Sequence, residues 1–409
     1  MLTTRRNLVT AQTDEVERVN TETPAAKANA SGRPRLFFID NLRVLLIVLV
    51  VLHHLAIIYG APGDFQYTEG QPDMAAFIVF TLFVGVNQAF FMGFFFMISG
   101  YFTPGSYDRK GPGAFLKDRL LRLGIPLLFY IIVIAPLMAY ALAVTVRGFQ
   151  GSLWNFLALY WGDYGGLDVG PLWFVETLLI FAAIYTVWRL LAKPATNRVQ
   201  PDSRPPGNLA IAIFALALGV ATFVVRIWLP VGWYFEALSL QLPFYPQYIA
   251  LFVVGMVAYR RNWFLGISDA TGRLWIRVAI VLCVVVWPLF LVASQVLEWD
   301  METIFGGVHY QSFLYAVWEQ SVGVAMSIGL LVWFRRRFNR QSKLTKAMAA
   351  SAYAVYIIMA PVSVSVALLL RDISLYPLLK FVLVSVITVP LCFLIGNYLR
   401  QIPLLRRIL

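Results

Sequence analysis

Apolar and polar residues follow one another along this chain in long blocks. After a polar stretch of about 35 residues come ten predominantly apolar segments. Each is close to the ~20 residues that cross a hydrocarbon core of ~30 Å. Their boundaries are predicted near 36–60, 74–101, 123–146, 171–192, 208–229, 243–260, 273–296, 310–334, 347–370 and 374–399. The pattern therefore predicts an all-α, polytopic integral membrane protein with about ten transmembrane helices.

The segments between these spans alternate in charge. Every second segment is rich in Lys and Arg, and the segments between carry mainly acidic residues. The basic segments lie at 109–122, 189–204, 260–277 and 335–346, with Arg147 and Arg371 as the main basic exceptions elsewhere. By the positive-inside rule, the alternation predicts that both termini are cytoplasmic, which requires an even number of spans.

The same pattern suggests a simple division of the chain. Residues 1–35 are polar and lack the apolar core of a signal peptide, so we expect a disordered cytoplasmic tail. Residues 36–400 form the predicted transmembrane domain, and 401–409 a cytoplasmic C-terminal tail. No fixed-period repeat is apparent, and the one linker-like stretch is the Pro-rich segment 193–208.

Composition strengthens this interpretation. Of 409 residues, 60% are hydrophobic and 13% are charged, and the mean hydropathy is +0.72. Ordinary soluble domains carry about 25% charged residues. The net charge of +12 would suit nucleic-acid binding in a soluble chain. Here the basic residues lie between apolar segments, where they indicate which ends of the spans face the cytoplasm. We therefore expect a lipid bilayer and no nucleic acid as a partner.

The cysteines point to no special chemistry. Cys283 and Cys392 both lie within apolar segments. Neither a disulfide framework nor a metal site is predicted from them.

The first apolar segment contains three polar residues that a membrane helix rarely carries. Arg43 and His54 are eleven residues apart, about three helical turns, which leaves them on nearly the same face and ~16 Å apart along the axis. His53 points about 80° away from that line, and we expect it to be structural. Asp40 lies three residues before Arg43 on nearly the same helical face, so the two side chains could pair.

Two interpretations of Arg43 and His54 remain open at this point. An arginine near a helix end can extend to the lipid headgroups, and a buried histidine can be satisfied by a backbone carbonyl. Ionisable residues inside a membrane usually face a wet cavity or the bundle interior and are functional candidates by default. His54 is accordingly the leading candidate.

Two carboxylates also fall at membrane depth. Glu176 lies in the fourth apolar segment and Glu319 in the eighth. A central carboxylate costs about 2.5–3.5 kcal/mol on insertion scales, so each should have a partner or face a cavity. Structural and functional roles are both open for them.

A pair of arginines precedes the third span. In "FLKDRLLRLGIP", residues 115–126, Arg119 and Arg122 share a helical face opposite several leucines. The pattern predicts a short helix against the cytoplasmic surface. Two guanidinium groups on one face suit a phosphate-bearing ligand, although such arginines also determine topology through lipid contact.

Several short motifs follow one another along the chain. They are the spacing of Arg43 and His54, "FFFMISGYF" at 94–102, Arg119 and Arg122 followed by Pro126, "GPLWFVETLL" at 170–179, "YIALFVVGMVAYRRNW" at 248–263, "LYAVWEQ" at 314–320 and "SAYAVYII" at 351–358. Taken in this order, they resemble the acyltransferase family 3 of integral membrane proteins, particularly members related to glucan biosynthesis protein C. The resemblance covers nearly all of the chain beyond the polar tail.

The resemblance implies transfer of an acyl group from a cytoplasmic donor, usually acyl-CoA, to a hydroxyl of an extracytoplasmic glycan or related acceptor. It implies a multi-pass protein of the bacterial inner membrane that uses acyl-CoA as a co-substrate, with no other cofactor and no metal. His54 would act as general base or as a nucleophile, and Arg43, Arg119 and Arg122 would hold the donor. Glu176 and Glu319 would orient the histidine or the acceptor.

Two positions depart from the family pattern. Many relatives carry a histidine where this chain has Pro171, and another where it has Met359. Acetyl, succinyl and longer acyl groups are all compatible with the sequence. The alternative function is a proton-coupled transporter or exporter, in which His54, Glu176 and Glu319 would carry protons.

Overall fold

The computed structural model describes residues 35–162, 168–192 and 203–408. Apart from Arg35, the predicted N-terminal tail lies outside the described residues, as does most of the Pro-rich segment 193–208. Leu36–Leu409 form one compact unit.

Ten helices of the described chain are long and apolar enough to cross a membrane, which confirms the predicted number. Each is labelled here in chain order. They are α1 (Phe37–Ile58), α2 (Met74–Lys110), α3 (Pro112–Thr145), α4 (Gly170–Ala192), α5 (Asn208–Arg226), α6 (Leu242–Arg261), α7 (Asp269–Val296), α8 (Tyr310–Arg337), α9 (Lys343–Leu369) and α10 (Pro377–Leu399). The described part of the chain contains no β-strand beyond the isolated bridge of Phe235 and Leu240.

The connection between the second and third spans differs from the prediction. We expected α2 to end near residue 101 and a separate surface helix to cover residues 115–126. Instead, α2 runs to Lys110 and α3 begins at Pro112, so a single residue joins them. Gly111 adopts φ +74, a left-handed conformation that glycine reaches without a steric penalty. The predicted surface helix is the first part of α3.

Three π-helical turns interrupt the long helices, each shortly before a proline. Leu120–Gly124 precedes Pro126 and Tyr130–Ile134 precedes Pro136 in α3. In α7, a third π turn at 282–286 precedes Pro288. Because proline lacks an N–H and clashes with the carbonyl four residues earlier, a wider turn lets the helix continue past it.

Small residues allow α2 and α6 to pack closely. A Cβ atom at Gly100 would lie 2.1 Å from the carbonyl oxygen of Phe252, and one at Gly255 would lie 2.1 Å from that of Met97. Any larger residue at either position would separate the helices. Close approach at small residues is the usual basis of helix association in membranes, where apolar burial gives little driving force.

Helices α1, α8 and α9 form the centre of the bundle. Of the most apolar 18-residue window of each helix, 72% is buried in α8 and 17% in α7, the two extremes among the described helices. An aromatic and aliphatic core that includes Phe38, Phe96 and Tyr130 surrounds α1. The polar residues of α1 and α8 therefore lie inside the protein.

Contacts between helix ends define two ends of the bundle. At the first end, Asp108 of α2 meets Arg189 of α4 and Arg260 of α6. There the amide of Asn41, near the start of α1, donates to the carbonyl of Phe338, just after α8. We call this the basic end, because most helix-terminal Lys and Arg residues lie there.

The other end carries the loop after α1. Glu69 of this loop pairs with Lys380 of α10. Arg371 donates to the carbonyl of Thr145, at the end of α3. We call this the opposite end. The expectation that the basic end is cytoplasmic stays a prediction.

A short helix that the sequence did not predict lies at the opposite end. Leu153–Gly162 follows α3 and contains no buried residue. Its side chains Trp154 and Leu159 are largely exposed. Aromatic side chains of this kind are enriched where a protein meets the membrane interface.

Candidate active site

His54 lies one turn before the end of α1, close to the opposite end of the bundle. Its Nδ1 atom is 2.8 Å from the carbonyl oxygen of Val50, and its ring is half-buried. A carbonyl oxygen can only accept, so Nδ1 carries the proton in this contact. In the neutral imidazole, Nε2 then has the free lone pair. The backbone thus fixes the tautomer that a general base needs.

His53 has different surroundings. Its side chain is buried, and its ring packs 5.0 Å from that of Phe91 in α2. Its Nδ1 atom has no hydrogen-bond partner among the described residues. The two histidine rings are 5.5 Å apart. His53 fills space between α1 and α2, and we keep it as a structural residue.

The loop after α1 covers His54. The ring of Phe65 lies 4.8 Å from that of His54. The loop is tied to the helix end by the amide of Glu69, which donates to the carbonyl of Ile58 at 2.7 Å. The carboxylate of Glu69 in turn pairs with the buried Lys380, whose ammonium group also donates to the carbonyl of Arg371. The loop is therefore held over His54 by charged contacts.

The three arginines that the sequence assigns to donor binding lie in the halves of α1 and α3 nearest the basic end. Arg43 is half-buried, six residues into α1. The guanidinium of Arg119 lies 5.1 Å from the ring centroid of Phe115. Arg122 is exposed and pairs with Asp118 at 3.3 Å. The π turn that begins at Leu120 widens the angle between Arg119 and Arg122, so they share a face less closely than an ideal α-helix predicts.

A second cluster of charges at the basic end was not found from the sequence. The carboxylate of Asp108 contacts Arg189 at 3.0 Å and Arg260 at 2.6 Å. Arg189 also receives support from Tyr185, whose hydroxyl accepts from Nη1 at 2.8 Å. Since the three charged residues come from α2, α4 and α6, no local pattern brings them together.

Glu319 of α8 forms an ion pair deep in the bundle. Its Oε2 atom lies 2.7 Å from Nη2 of Arg226, and both side chains are almost completely buried. The amide of Gln320 donates to the same oxygen at 2.9 Å. The guanidinium of Arg226 also lies over the rings of Phe244 and Tyr315. Arg226 was not predicted from the sequence. It is the last residue of α5, and a basic residue at a helix end usually has no buried partner.

Glu176 lies six residues after the start of α4 and is buried. Its Oε2 atom has no hydrogen-bond partner among the described residues. The adjacent Thr177 contacts the hydroxyl of Tyr245 in α6 at 2.7 Å. Glu176 therefore lies near the α4–α6 contact. No hydrogen bond between the described residues joins Glu176 or Glu319 to His54, so their predicted role in orienting it stays a prediction.

The two positions that depart from the family pattern, Pro171 and Met359, lie in α4 and α9. The hydroxyl of Tyr356 in α9 donates to the carbonyl of Pro171 at the start of α4. Met359, one turn further along α9, is fully buried. The hydrogen bond between Tyr356 and Pro171 joins α9 to the start of α4, and Met359 belongs to the hydrophobic core of the bundle.

Asp168 precedes α4 at the opposite end. Its Oδ1 atom accepts from the amide of Gly170 at 3.1 Å. Burial raises the pKa of its carboxyl group, the charge of Asp64 raises it further, and the Gly170 hydrogen bond opposes the shift. This region adds a desolvated acidic group near the loop that covers His54.

Among the described residues, no group of three or more His, Cys, Asp or Glu side chains lies close enough to hold a metal ion. Cys283 and Cys392 are both free.

Comparisons with known proteins identify a family and several curated relatives. The acyltransferase 3 family model, described as an acyltransferase domain, matches residues 36–397. Glucans biosynthesis protein C of Escherichia coli strain SMS-3-5 is 25% identical over 240 residues, which cover 55% of this chain and 58% of that protein. The protein of the same name from Escherichia coli O1:K1 gives the same identity and coverage. The chain thus matches somewhat more than half the length of these curated relatives.

No solved structure matches the chain. The family match nevertheless extends from the residue before α1 almost to the end of α10 and includes every candidate residue discussed above. The chain belongs to the acyltransferase 3 family of multi-pass membrane proteins.

Proposed function

We propose that the protein is an inner-membrane O-acyltransferase. It moves an acyl group from acyl-CoA, bound at the basic end, to a hydroxyl of a glycan or related acceptor at the opposite end. Family membership supports acyl transfer and disfavours the alternative of a transporter. The printed name of the curated relatives supports an acceptor related to glucans.

One observation carries the mechanism: Nδ1 of His54 donates to the carbonyl of Val50. With that nitrogen occupied, Nε2 is the only basic nitrogen of the ring. An imidazole titrates near neutral pH in water and is well suited to remove a proton from a hydroxyl group during attack. His54 is therefore the general base of the proposed reaction.

The reaction balances without a further reagent. Nε2 of His54 accepts the proton of the acceptor hydroxyl while the hydroxyl oxygen attacks the thioester carbonyl carbon. The C–S bond then breaks, the ester forms, and the CoA thiolate takes the proton back from the imidazolium. Positioning the two substrates contributes much of the rate, because a thioester is already activated. A route through an acyl-histidine uses the same nitrogen as nucleophile.

Donor binding is assigned to Arg43, Arg119 and Arg122. Guanidinium groups bind phosphate oxygens in a bidentate manner, and CoA carries its phosphates far from its thioester. Arg43 lies ~16 Å from His54 along the axis of α1. The pantetheine arm of CoA would extend along the bundle interior to bring the acyl group toward His54.

A deletion strain of the source organism tests the proposal. Mass spectrometry of its envelope glycans should show the loss of one acyl mass per modified unit, and a plasmid copy of the gene should restore it. The lost mass would identify the acyl group. Identical glycans in the deletion strain and its parent would contradict the proposed function.

A further inference from the structure

A buried tyrosine hydroxyl lies unpaired near the start of α4. Tyr130 belongs to α3, its side chain is 0% exposed, and its Oη atom has no hydrogen-bond partner among the described residues. Leaving such a hydroxyl unsatisfied costs about 1–3 kcal/mol. Because buried polar groups are normally paired, an orphaned hydroxyl in a native protein indicates a ligand or water that binds there.

Gly170 makes room for this hydroxyl. Its φ of +46 is left-handed, and a Cβ atom built on it would lie 2.4 Å from Oη of Tyr130 and 3.0 Å from Nε2 of Gln66. Both polar groups therefore approach the backbone at the start of α4. The Oε1 atom of Gln66 is also buried and has no partner among the described residues.

An acidic group joins the same cluster. Asp168 is bound to the amide of Gly170 and interacts electrostatically with Tyr130. Its second carboxylate oxygen accepts no hydrogen bond from the described residues. The cluster thus combines a phenol, an amide and a carboxylate, which together can both donate to and accept from hydroxyl groups.

The loop after α1 connects this cluster to His54. Gln66 follows Phe65 directly in the chain, and the ring of Phe65 lies against that of His54. On the other side, Pro171 follows Gly170 and is held by Tyr356 of α9. The orphaned polar groups therefore belong to the part of the protein that surrounds the proposed base.

From this arrangement we infer that Tyr130, Gln66 and Asp168 form the acceptor subsite, which binds a neutral polyhydroxy compound such as a sugar unit. The inference rests on the proposed function and assigns residues to its acceptor side. Neighbouring hydroxyls of a sugar would satisfy Oη of Tyr130 and Oε1 of Gln66. Asp168 and Asp64 give this region negative charge, which disfavours an anionic acceptor, whereas the charge of Glu69 is balanced by Lys380.

Removal of the Tyr130 hydroxyl tests the inference. The full-length protein in nanodiscs would receive acetyl-CoA, succinyl-CoA or palmitoyl-CoA, and glycans purified from the deletion strain as acceptor. Mass spectrometry would measure the transferred acyl group at a series of glycan and donor concentrations. Tyr130→Phe should raise the half-saturating glycan concentration about tenfold and leave that of the donor unchanged. Gln66→Leu should act in the same direction.

Tyr140→Phe is the matched control. Tyr140 lies in the same helix, but its hydroxyl already has a partner, the carbonyl of Gly151. This variant should keep the wild-type glycan dependence. If Tyr130→Phe does not fold, as judged by size-exclusion chromatography, Gln66→Leu alone decides the result. A residue with only a structural role would change donor and glycan dependence together.

The outcomes separate this inference from the function on which it rests. If wild-type protein transfers an acyl group, and Tyr130→Phe and Gln66→Leu leave the glycan dependence unchanged, the acceptor subsite is wrong while the function stands. If wild-type protein transfers none of the three acyl groups to the glycan fraction, the proposed function is contradicted and the subsite falls with it.

Discussion

Adjacent histidines in α1 differ in what their ring nitrogens contact. The spacing of Arg43 and His54 selects His54 from sequence alone, because eleven residues bring the two onto one face. The hydrogen bond to Val50 could have been anticipated only in general terms, since it needs the rotamer of His54. The position of Phe65 over the ring depends on a loop fold that no local pattern encodes.

Other residues of the candidate site could not be found from the sequence. The role of these residues depends on contacts with distant parts of the chain. Arg226 pairs with Glu319, and Tyr130 lies close to Gly170 and Asp168. Tyrosine in an apolar segment is ordinarily a core residue or a membrane-interface residue, and nothing in its neighbours marks Tyr130 as unpaired.

Asp168→Asn should raise the thermal stability of the protein at pH 7 to 8. The pKa of Asp168 is raised in the folded state, so the stability provided by its neutral form is complete below its ordinary pKa of about 4. That stability is lost as the pH rises through the raised pKa. Asparagine keeps an acceptor for the Gly170 amide without the cost of a buried charge.

Melting curves in nanodiscs at several pH values provide the check. The difference in melting temperature between Asp168→Asn and wild type should shrink toward pH 4. A variant less stable than wild type at neutral pH would show that the charge of Asp168 stabilises the fold. If Asp168 binds the acceptor, the stabilised variant should also require more glycan for half-maximal transfer.

At the scale of helices, the apolar segments predict all ten spans, because length and hydropathy are local properties. The helix ends are less well predicted. The continuous passage from α2 through Gly111 into α3 requires a glycine in a left-handed conformation, and the π turns depend on how each proline is accommodated. These features place Arg119 and Arg122 in α3 itself and not in a separate surface helix.

The ion pair between α5 and α8 should be structural in its energetics. Arg226→Met leaves the charge of Glu319 buried and unpaired, and we expect a loss of about 3–5 kcal/mol of stability. The double variant Arg226→Met with Glu319→Met removes both charges and should recover much of that loss. Thermal melting in nanodiscs measures both.

Activity of the double variant distinguishes the two roles of Glu319. Near-normal acyl transfer would assign Glu319 to the fold. A folded double variant without transfer would instead support its predicted part in catalysis.

The first turns of α3 should determine donor affinity. Arg119→Ala or Arg122→Ala removes a guanidinium group from the proposed phosphate site, and each should weaken acyl-CoA binding about tenfold, as expected for a hydrogen bond to a charged group. Calorimetric titration of the nanodisc protein with acetyl-CoA measures this. Lys117→Ala, an exposed residue of the same helix, is the control and should bind normally. Equal affinities for all three variants and wild type would place the donor elsewhere.

At the scale of the whole molecule, the basic and opposite ends follow from the alternation of charge in the loops. This alternation was visible in the sequence, because insertion is governed by Lys and Arg close to each span. What the sequence did not supply is the arrangement of the helices around α1, α8 and α9. Helix order in space depends on contacts such as that of Gly100 with Phe252, which join distant segments.

Topology reporters test the orientation of the two ends. Fusions after residue 341, between α8 and α9, should report the cytoplasm, and fusions after residue 300, between α7 and α8, the external side. An enzyme reporter active only inside and a second active only outside provide complementary readings. Both fusion points reporting the same side would contradict the ten-span topology, and exchanged sides would place the basic end outside.

The central claim is that His54, and not His53, takes the proton from the acceptor. The most direct measurement compares His54→Ala and His53→Ala in nanodiscs, with glycans from the deletion strain as acceptor and the acyl-CoA that restores the missing mass. We predict that His54→Ala lowers the transfer rate by about 10²–10⁴, the usual contribution of general acid–base catalysis, at unchanged acyl-CoA affinity. His53→Ala should keep substantial activity. Full activity in His54→Ala, or a greater loss in His53→Ala, would contradict the account.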